Sequence, residues 1–155
     1  MKTTLYQLIF EDIIKTPNRE YDGWFSREQN NESRINRVDF GRQTGKTTAI
    51  INTVVNHNDD FNFVVITHHE SRARAIADQI KFKFSSNRRI PTGLIIVAGN
   101  STERITKIAD TIRNSKTRDK RTVVFIEEPM KRTTEILDEI FEKLNVHKVF
   151  VVGCQ

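Results

Sequence analysis

Short apolar runs and helically periodic stretches alternate along most of the chain. The runs fall at Ile35–Phe40, Phe61–Thr67, Gly93–Ala98, Thr122–Ile126 and Lys148–Val152, and helical periodicity fills Lys46–Asn56, Ser71–Phe84, Ser101–Ser115 and Thr133–Leu144. A strand followed by a helix and then another strand returns the chain to the same sheet end, so the alternation demands parallel pairing. Parallel sheets are covered on both faces and their strands read as continuous apolar runs. The last four runs fit that rule: Phe63-Val64-Val65-Ile66, Leu94-Ile95-Ile96-Val97, Val123-Val124-Phe125-Ile126 and Val149-Phe150-Val151-Val152. Ile35-Asn36-Arg37-Val38-Asp39-Phe40 is the least apolar of the five. Asn100 and Glu103 form a capping box at the start of the third helical stretch. The expected fold class is α/β, with a mostly parallel five-stranded sheet and helices on both faces.

With 155 residues, one core and one domain are expected across 1–155. The α/β core occupies 35–155. Residues 1–34 form an N-terminal helix and a polar segment. In that helix Leu5, Leu8, Ile9 and Ile13 recur at helical spacing, with Thr3 or Thr4 as N-cap. Thr16 to Ser33 is polar, contains Pro17, Gly23 and Gln29-Asn30-Asn31, and reads as a loop. Glu11 and Asp12 interrupt the apolar start, and no run approaches the roughly 18 apolar residues of a membrane helix, so no membrane association is expected. The single cysteine, Cys154, cannot form an intramolecular disulfide, which points to a reducing cytoplasmic setting. The net charge is +5, and its excess is confined to residues 68–121, where 13 Lys and Arg face 5 Asp and Glu. A polyanion would meet that part of the chain.

Gly41-Arg42-Gln43-Thr44-Gly45-Lys46-Thr47-Thr48 stands between the first apolar run and the first helical stretch. Gly45 allows close backbone approach, successive amides and the helix N-terminus face a phosphate, Lys46 reaches the outer phosphates, and Thr47 can ligand Mg2+. The first glycine of the usual GxxxxGK[ST] spacing would fall at position 40, which is Phe40; Gly41 is one residue late. The strand-to-helix setting supports a nucleotide site, and hence a P-loop NTPase with ATP and Mg2+ as ligands. Its second half is Glu127-Glu128, delivered by Val123–Ile126 to the carboxyl edge where open α/β sheets bind ligands. Glu127 is the magnesium-side residue, and Glu128 is the base that orients and deprotonates the attacking water.

These residues resemble the large terminase subunits, the DNA-packaging ATPases of tailed phages. The likeness rests on Arg42-Gln43 inside a loop without a first glycine, on the Glu127-Glu128 pair, and on Val151-Val152-Gly153-Cys154-Gln155, which is similar to the coupling motif after the last core strand of terminases and related helicases. Tyr6-Gln7 resembles the upstream Tyr-Gln that contacts adenine in such ATPases, though it lies farther from the loop. The resemblance implies that Arg42 acts in cis on the γ-phosphate and that Gln7 touches the base. It further implies that the last strand lies between the loop strand and the Glu127-Glu128 strand, and that DNA and neighbouring motor subunits, as a homo-oligomer or otherwise, are the partners. If phage-encoded, the chain would work in the host cytoplasm. The likeness spans about Leu5 to Gln155 and leaves no room for the terminase nuclease domain, so a minimal, stand-alone or truncated relative is expected.

Several other groups have two readings. His68-His69-Glu70 suggests a metal, but adjacent histidines on an extended segment point to opposite sides. In terminase-like ATPases the equivalent position touches nucleic acid, which Thr67, His68 and Arg72 could do. Arg88-Arg89 and the cluster Arg113, Lys116, Arg118, Lys120 and Arg121 suit phosphate contacts or an arginine finger acting in trans. Trp24-Phe25 is either a small satellite core or a stacking platform. Two other functions compete with a DNA-coupled ATPase: a small-molecule or nucleotide kinase, and a non-hydrolysing regulatory protein on the same fold. The loop begins late for a kinase, and only Lys131 and Arg132 follow Glu128 before the next helix. Intact Lys46, Thr47 and Glu128 argue for hydrolysis.

Overall fold

The computed structural model describes residues 5–18, 27–38, 45–99, 102–127 and 133–153. Its elements follow the order α1 (Leu5–Lys15), α2 (Arg27–Glu32), β1 (Ile35–Val38), α3 (Lys46–His57), β2 (Asn62–Thr67), α4 (Glu70–Ser86), β3 (Ile95–Gly99), α5 (Thr102–Arg113), β4 (Thr122–Glu127), α6 (Thr133–Lys143) and β5 (Val146–Val152). The five strands form one sheet in the order β1-β5-β4-β2-β3, and every pairing is parallel. The last strand therefore lies between β1 and β4, the placement that the sequence resemblance implied. No helix among the described residues is long and apolar enough to cross a membrane.

Each face of the sheet has its own core. Inward residues of α1, α3 and α4 cover Phe63, Val65, Val123, Phe125, Phe150 and Val152. On the other face α5 and α6 cover Val64, Ile66, Val124, Ile126, Val149 and Val151. These alternating sets are the period-two pattern of strands buried on both sides. β2, β4 and β5 are buried throughout. β3 departs from expectation: Ile95, Ile96 and Val97 are only half-buried, because β3 is an edge strand. Its apolar composition resembles that of the central strands, and only the strand order separates them.

α1 uses a different face from the expected one. Tyr6, Gln7, Phe10 and Ile14 are buried, whereas Leu5 and Leu8 are exposed. The large aromatic surfaces decide the rotation. Phe10 contacts the rings of Phe125 and Phe150 edge-on at 5.1 and 5.0 Å, and those two rings stack on each other at 5.0 Å. Aromatic burial and ring geometry together exceed what a leucine at position 8 could contribute. Within the polar 16–33 segment the structure also contains α2, which the loop reading did not anticipate. Asn100, of the proposed capping box, and Trp24-Phe25 lie outside the described residues.

The base of α1 is tied to the first residues of β5. A register shift against β4 pairs Thr122 with Val146 and Val123 with Lys148, leaving His147 as the extra residue. Its Nε2 lies 2.8 Å from the Ile14 carbonyl, its Nδ1 is 3.4 Å from Asn18 Nδ2, and the ring stacks on Phe61 at 4.7 Å. A neutral ring that donates from Nε2 and accepts at Nδ1 satisfies both contacts. Burial pushes the His147 pKa below its ordinary 6.5, the hydrogen bond to Ile14 acts in the opposite direction, and Arg121, Lys148 and Arg34 lower it further.

Two outcomes follow for stability. Phe10→Ala is expected to cost about 3–5 kcal/mol in urea unfolding through lost aromatic burial and the cavity left behind; a loss below 1 kcal/mol would show that α1 is not anchored there. Because His147 is harder to protonate when folded, the unfolded chain binds more protons as pH falls below 6.5, and stability declines in that window. His147→Gln should flatten that acid limb in unfolding curves collected from pH 7.5 to pH 5.

Candidate functional site

All-parallel pairing brings the carboxyl ends of the five strands to one edge, with the first turns of the following helices beside them. Gly45 precedes α3 with φ 105°, a left-handed conformation that side-chain-bearing residues adopt at a cost. Among the described residues no side chain caps the first turn of α3, whose amides are directed outward from the helix N-terminus. Lys46, Thr47 and Thr48 begin that helix, with Thr48 exposed and the other two half-buried.

Charged groups at this edge are joined to one another. Arg72, in the first turn of α4, donates from Nε to both carboxylate oxygens of Glu127 at 3.0 and 2.7 Å, and from Nη2 to the Thr47 hydroxyl at 2.7 Å. One guanidinium thus bridges the hydroxyl at the start of α3 and the carboxylate at the end of β4. Glu127 is 4 % exposed, and a carboxylate so buried requires such a partner. The Lys46 ammonium donates to the Gly153 carbonyl just beyond β5 and lies 5.6 Å from the centre of the Tyr6 ring. Gly153 is held there by its amide, which donates to the Val38 carbonyl at 2.9 Å.

Four of the sequence-selected residues therefore converge: Gly45, Lys46, Thr47 and Glu127. Gln7 is close by on α1, where its carbonyl accepts from Asn52 Nδ2 at 3.2 Å. It begins a ladder between α1 and α3 that continues with Asn56 Nδ2 donating to Glu11 at 3.1 Å. α1 packs along α3, so Tyr6-Gln7 reaches the loop's helix despite its distance in sequence. Gly41, Arg42, Gln43, Thr44 and Glu128 lie outside the described residues.

Of the remaining candidates the basic clusters separate from this edge, whereas His68 and His69 lie along it, between β2 and α4. His68 and His69 do not point to opposite sides; their rings are 4.5 Å apart in the two-residue link between β2 and α4, although the backbone of His69 is extended. No group of three or more His, Cys, Asp or Glu side chains suited to a metal occurs among the described residues. Arg113, Lys116, Arg118, Lys120 and Arg121 lie between the end of α5 and the start of β4, which is the amino edge of the sheet. Arg113 pairs with Asp110 at 3.2 Å, and Lys120 donates to the Asp59 carbonyl at 2.7 Å. Arg89 is 3.6 Å from Asp59.

Arg72 is the site residue that sequence reasoning assigned elsewhere. Its local pattern is that of any arginine in a solvated first turn. Only the β2–β4 adjacency carries the start of α4 to Glu127. Chemically, the edge presents an ammonium, a hydroxyl, a buried carboxylate and outward amides within one cluster, a set able to hold an anion and a hard cation together. No protein-family model matches this chain, and no curated protein matches it either.

Removing the guanidinium should expose how far Glu127 depends on it. Arg72→Ala is expected to lower stability by about 1–3 kcal/mol by stranding a buried acceptor. Combining it with Glu127→Gln should cost less than the two single losses added together. A double-mutant cycle in urea measures the coupling, and strict additivity would mean that the bridge does not form in solution.

Proposed function

We propose that the chain is a Mg-dependent P-loop ATPase of terminase-like or helicase-like type, coupled to DNA. The observation that carries the reading is the convergence of Lys46 and Thr47, at an outward helix N-terminus behind left-handed Gly45, with Glu127 at the end of a strand whose order places β5 between β1 and β4. The hydroxyl of Thr47 and the carboxylate of Glu127 are hard oxygen donors already brought to one cation, so their chemistry fits magnesium. When bound, that ion supplies neutralisation of the β- and γ-phosphate charge.

The protein's own groups have distinct tasks. Amides of the α3 first turn and the Lys46 ammonium bind the phosphates, the latter after leaving the Gly153 carbonyl. Arg42 adds positive charge near the γ-phosphate, and Gln7 meets the base. Glu128 accepts a proton from water as the water oxygen bonds to the γ-phosphorus; the bond from that phosphorus to the bridging oxygen breaks, leaving ADP and phosphate. The charges of the site pair among themselves, and Arg72 would have to release Thr47 and Glu127 for a metal to take its place. DNA meets the basic residues of 68–121, and a neighbouring subunit on that DNA accelerates turnover. The work belongs to the cytoplasm.

Phosphate release by purified protein, with and without DNA, is the direct test. Turnover that DNA increases supports the reading. Lys46→Ala should lose ATP binding by calorimetry, and Glu128→Gln should bind ATP without hydrolysing it. Replacing Arg118, Lys120 and Arg121 together should reduce the salt dependence of DNA binding. Arg72→Met should bind nucleotide at a lower magnesium concentration than the unaltered chain. No phosphate release under any condition, with ATP binding unaffected by Lys46→Ala, would overturn the proposal.

A further inference from the structure

β3 closes the sheet on one side, and its open edge is unlike the other. β1, the opposite edge strand, has four residues and carries Asn36 and Arg37. Short, polar edges resist further pairing. β3 runs Ile95-Ile96-Val97-Ala98-Gly99 in unbroken register with β2, without a charge or a proline. That register fixes which backbone groups face outward. The Phe63 amide donates to the Leu94 carbonyl at 2.9 Å, so Leu94, Ile96 and Ala98 turn their peptide groups to β2, whereas Ile95 and Val97 turn theirs away. Among the described residues the amides and carbonyls of Ile95 and Val97 have no hydrogen-bond partner.

The same two residues line an apolar groove. Their side chains belong to the α4 face of the sheet, and with Ala77, Ile80, Lys81 and Phe84 of α4 they border a space of about 300 Å³. Pro91 also lines it, and the adjoining Ile90 is 84 % exposed. The turn that presents them is fixed. Arg88 takes a left-handed φ of 52°, and the Arg88 and Arg89 amides donate to the Ser85 and Phe84 carbonyls at 3.1 and 2.9 Å. The Arg89 guanidinium lies 3.6 Å from the Asp59 carboxylate. Apolar surface held open in this way, next to unpaired strand backbone, is suited to an interaction.

Charge decides what can occupy the groove. Helical spacing puts Arg74, Ala77 and Lys81 on one flank of α4, and Arg88 follows the end of that helix. Arg74, Lys81 and Arg88 are exposed and make no ion pair among the described residues. Asp78, the one acid of α4 beyond its first residue, lines the space toward α3 instead. A second copy that paired edge to edge across a two-fold axis would set this row of cations against itself. An acidic chain gains from the same row. We infer that the β3 edge and its groove dock an extended acidic segment of another protein, which adds as a strand beside β3. Its backbone pairs with Ile95 and Val97, alternate apolar side chains enter the groove, and flanking carboxylates meet Arg74, Lys81 and Arg88. Arg74 and Lys81 are about 10.5 Å apart along the helix axis, which about three residues of extended chain cover. A polynucleotide would use the cations but neither the groove nor the strand backbone. The site shares no residue with the nucleotide edge, so it stands independently of the ATPase reading.

Amide hydrogen exchange and peptide titration test the inference on the unaltered protein. The probe is a capped peptide of alternating valine and threonine with two glutamates at each end. At saturation it should slow exchange of the Ile95 and Val97 amides by about tenfold or more, and leave the Ile96 amide, already bonded to β2, as it was. The same peptide with lysine in place of glutamate, and a third one N-methylated at the residues whose amides face β3, should each bind about tenfold more weakly or worse. Arg74→Gln, Lys81→Gln and Arg88→Asn together should weaken binding of the glutamate peptide by about tenfold, the combined effect of three exposed ion pairs; asparagine accepts the left-handed backbone at position 88. Unchanged affinity after any one of these three alterations, or no slowing of the Ile95 and Val97 amides by the glutamate peptide at millimolar concentration, would overturn the inference. So would Ile95 and Val97 amides already protected in a dimer seen by sedimentation, which assigns the edge to a second copy, or protection of them by duplex DNA equal to that by the peptide, which assigns it to nucleic acid.

Discussion

Parallel pairing is the constraint on which the rest of this molecule depends. Because each helix must return the chain to the start of the next strand, every strand ends at the same edge, and the first turns of α3 and α4 are brought there with them. The consequence is electrostatic as much as architectural. Outward amides at the start of α3, the Lys46 ammonium and the Arg72 guanidinium gather beside the Glu127 carboxylate. The arrangement persists because the charges satisfy one another: Arg72 on Glu127 and Thr47, Lys46 on the carbonyl of Gly153. A buried carboxylate without that guanidinium would be expensive, and the pairing neutralises it.

The opposite edge is not neutralised in the same way. The starts of β1, β4 and β5 bring Arg34, Arg121 and Lys148 within each other's field. The extra residue at His147 adds a polar ring to the same region, which also joins the end of α1 to the sheet. The two edges therefore differ: Arg72 is paired with Glu127 at one, whereas Arg34, Arg121 and Lys148 act on one another as like charges at the other. Between them the aromatic cluster of Phe10, Phe125 and Phe150 fixes α1 over the centre of the sheet. α1 thus touches both edges, through Tyr6 near Lys46 and through Ile14 at His147.

Much of this was legible in the residue order, and the reasons are local. Continuous apolar runs such as Val123–Ile126 mark strands buried on both faces, and helical periodicity marks the crossovers. Gly45-Lys46-Thr47 at a strand-to-helix junction identifies one half of the candidate site, and an acid at the end of an apolar strand identifies the other. Local patterns misled where burial was decided by a distant partner. The stripe of Leu5 and Leu8 on α1 is exposed because Tyr6 and Phe10 meet rings contributed by β4 and β5. His68 and His69 bring their rings together in the link between β2 and α4, beyond the strand whose alternation would have separated them.

By itself, then, the sequence determined the order along the chain of the strands and of every helix but α2, the parallel sheet and the carboxyl edge as the place where Lys46, Thr47 and Glu127 would be found. Those outcomes depend on periodicity and on chain reversal, which act over a few residues to a few tens. The tertiary structure alone decided that Arg72 closes the site, that β3 is an edge strand, that Tyr6 lies near Lys46, and that Lys148 lies in the field of Arg34 and Arg121. Each of these is a relation between residues tens of positions or more apart, set by which strands are neighbours. Strand order is chosen by the packing of whole faces, and no local pattern encodes it.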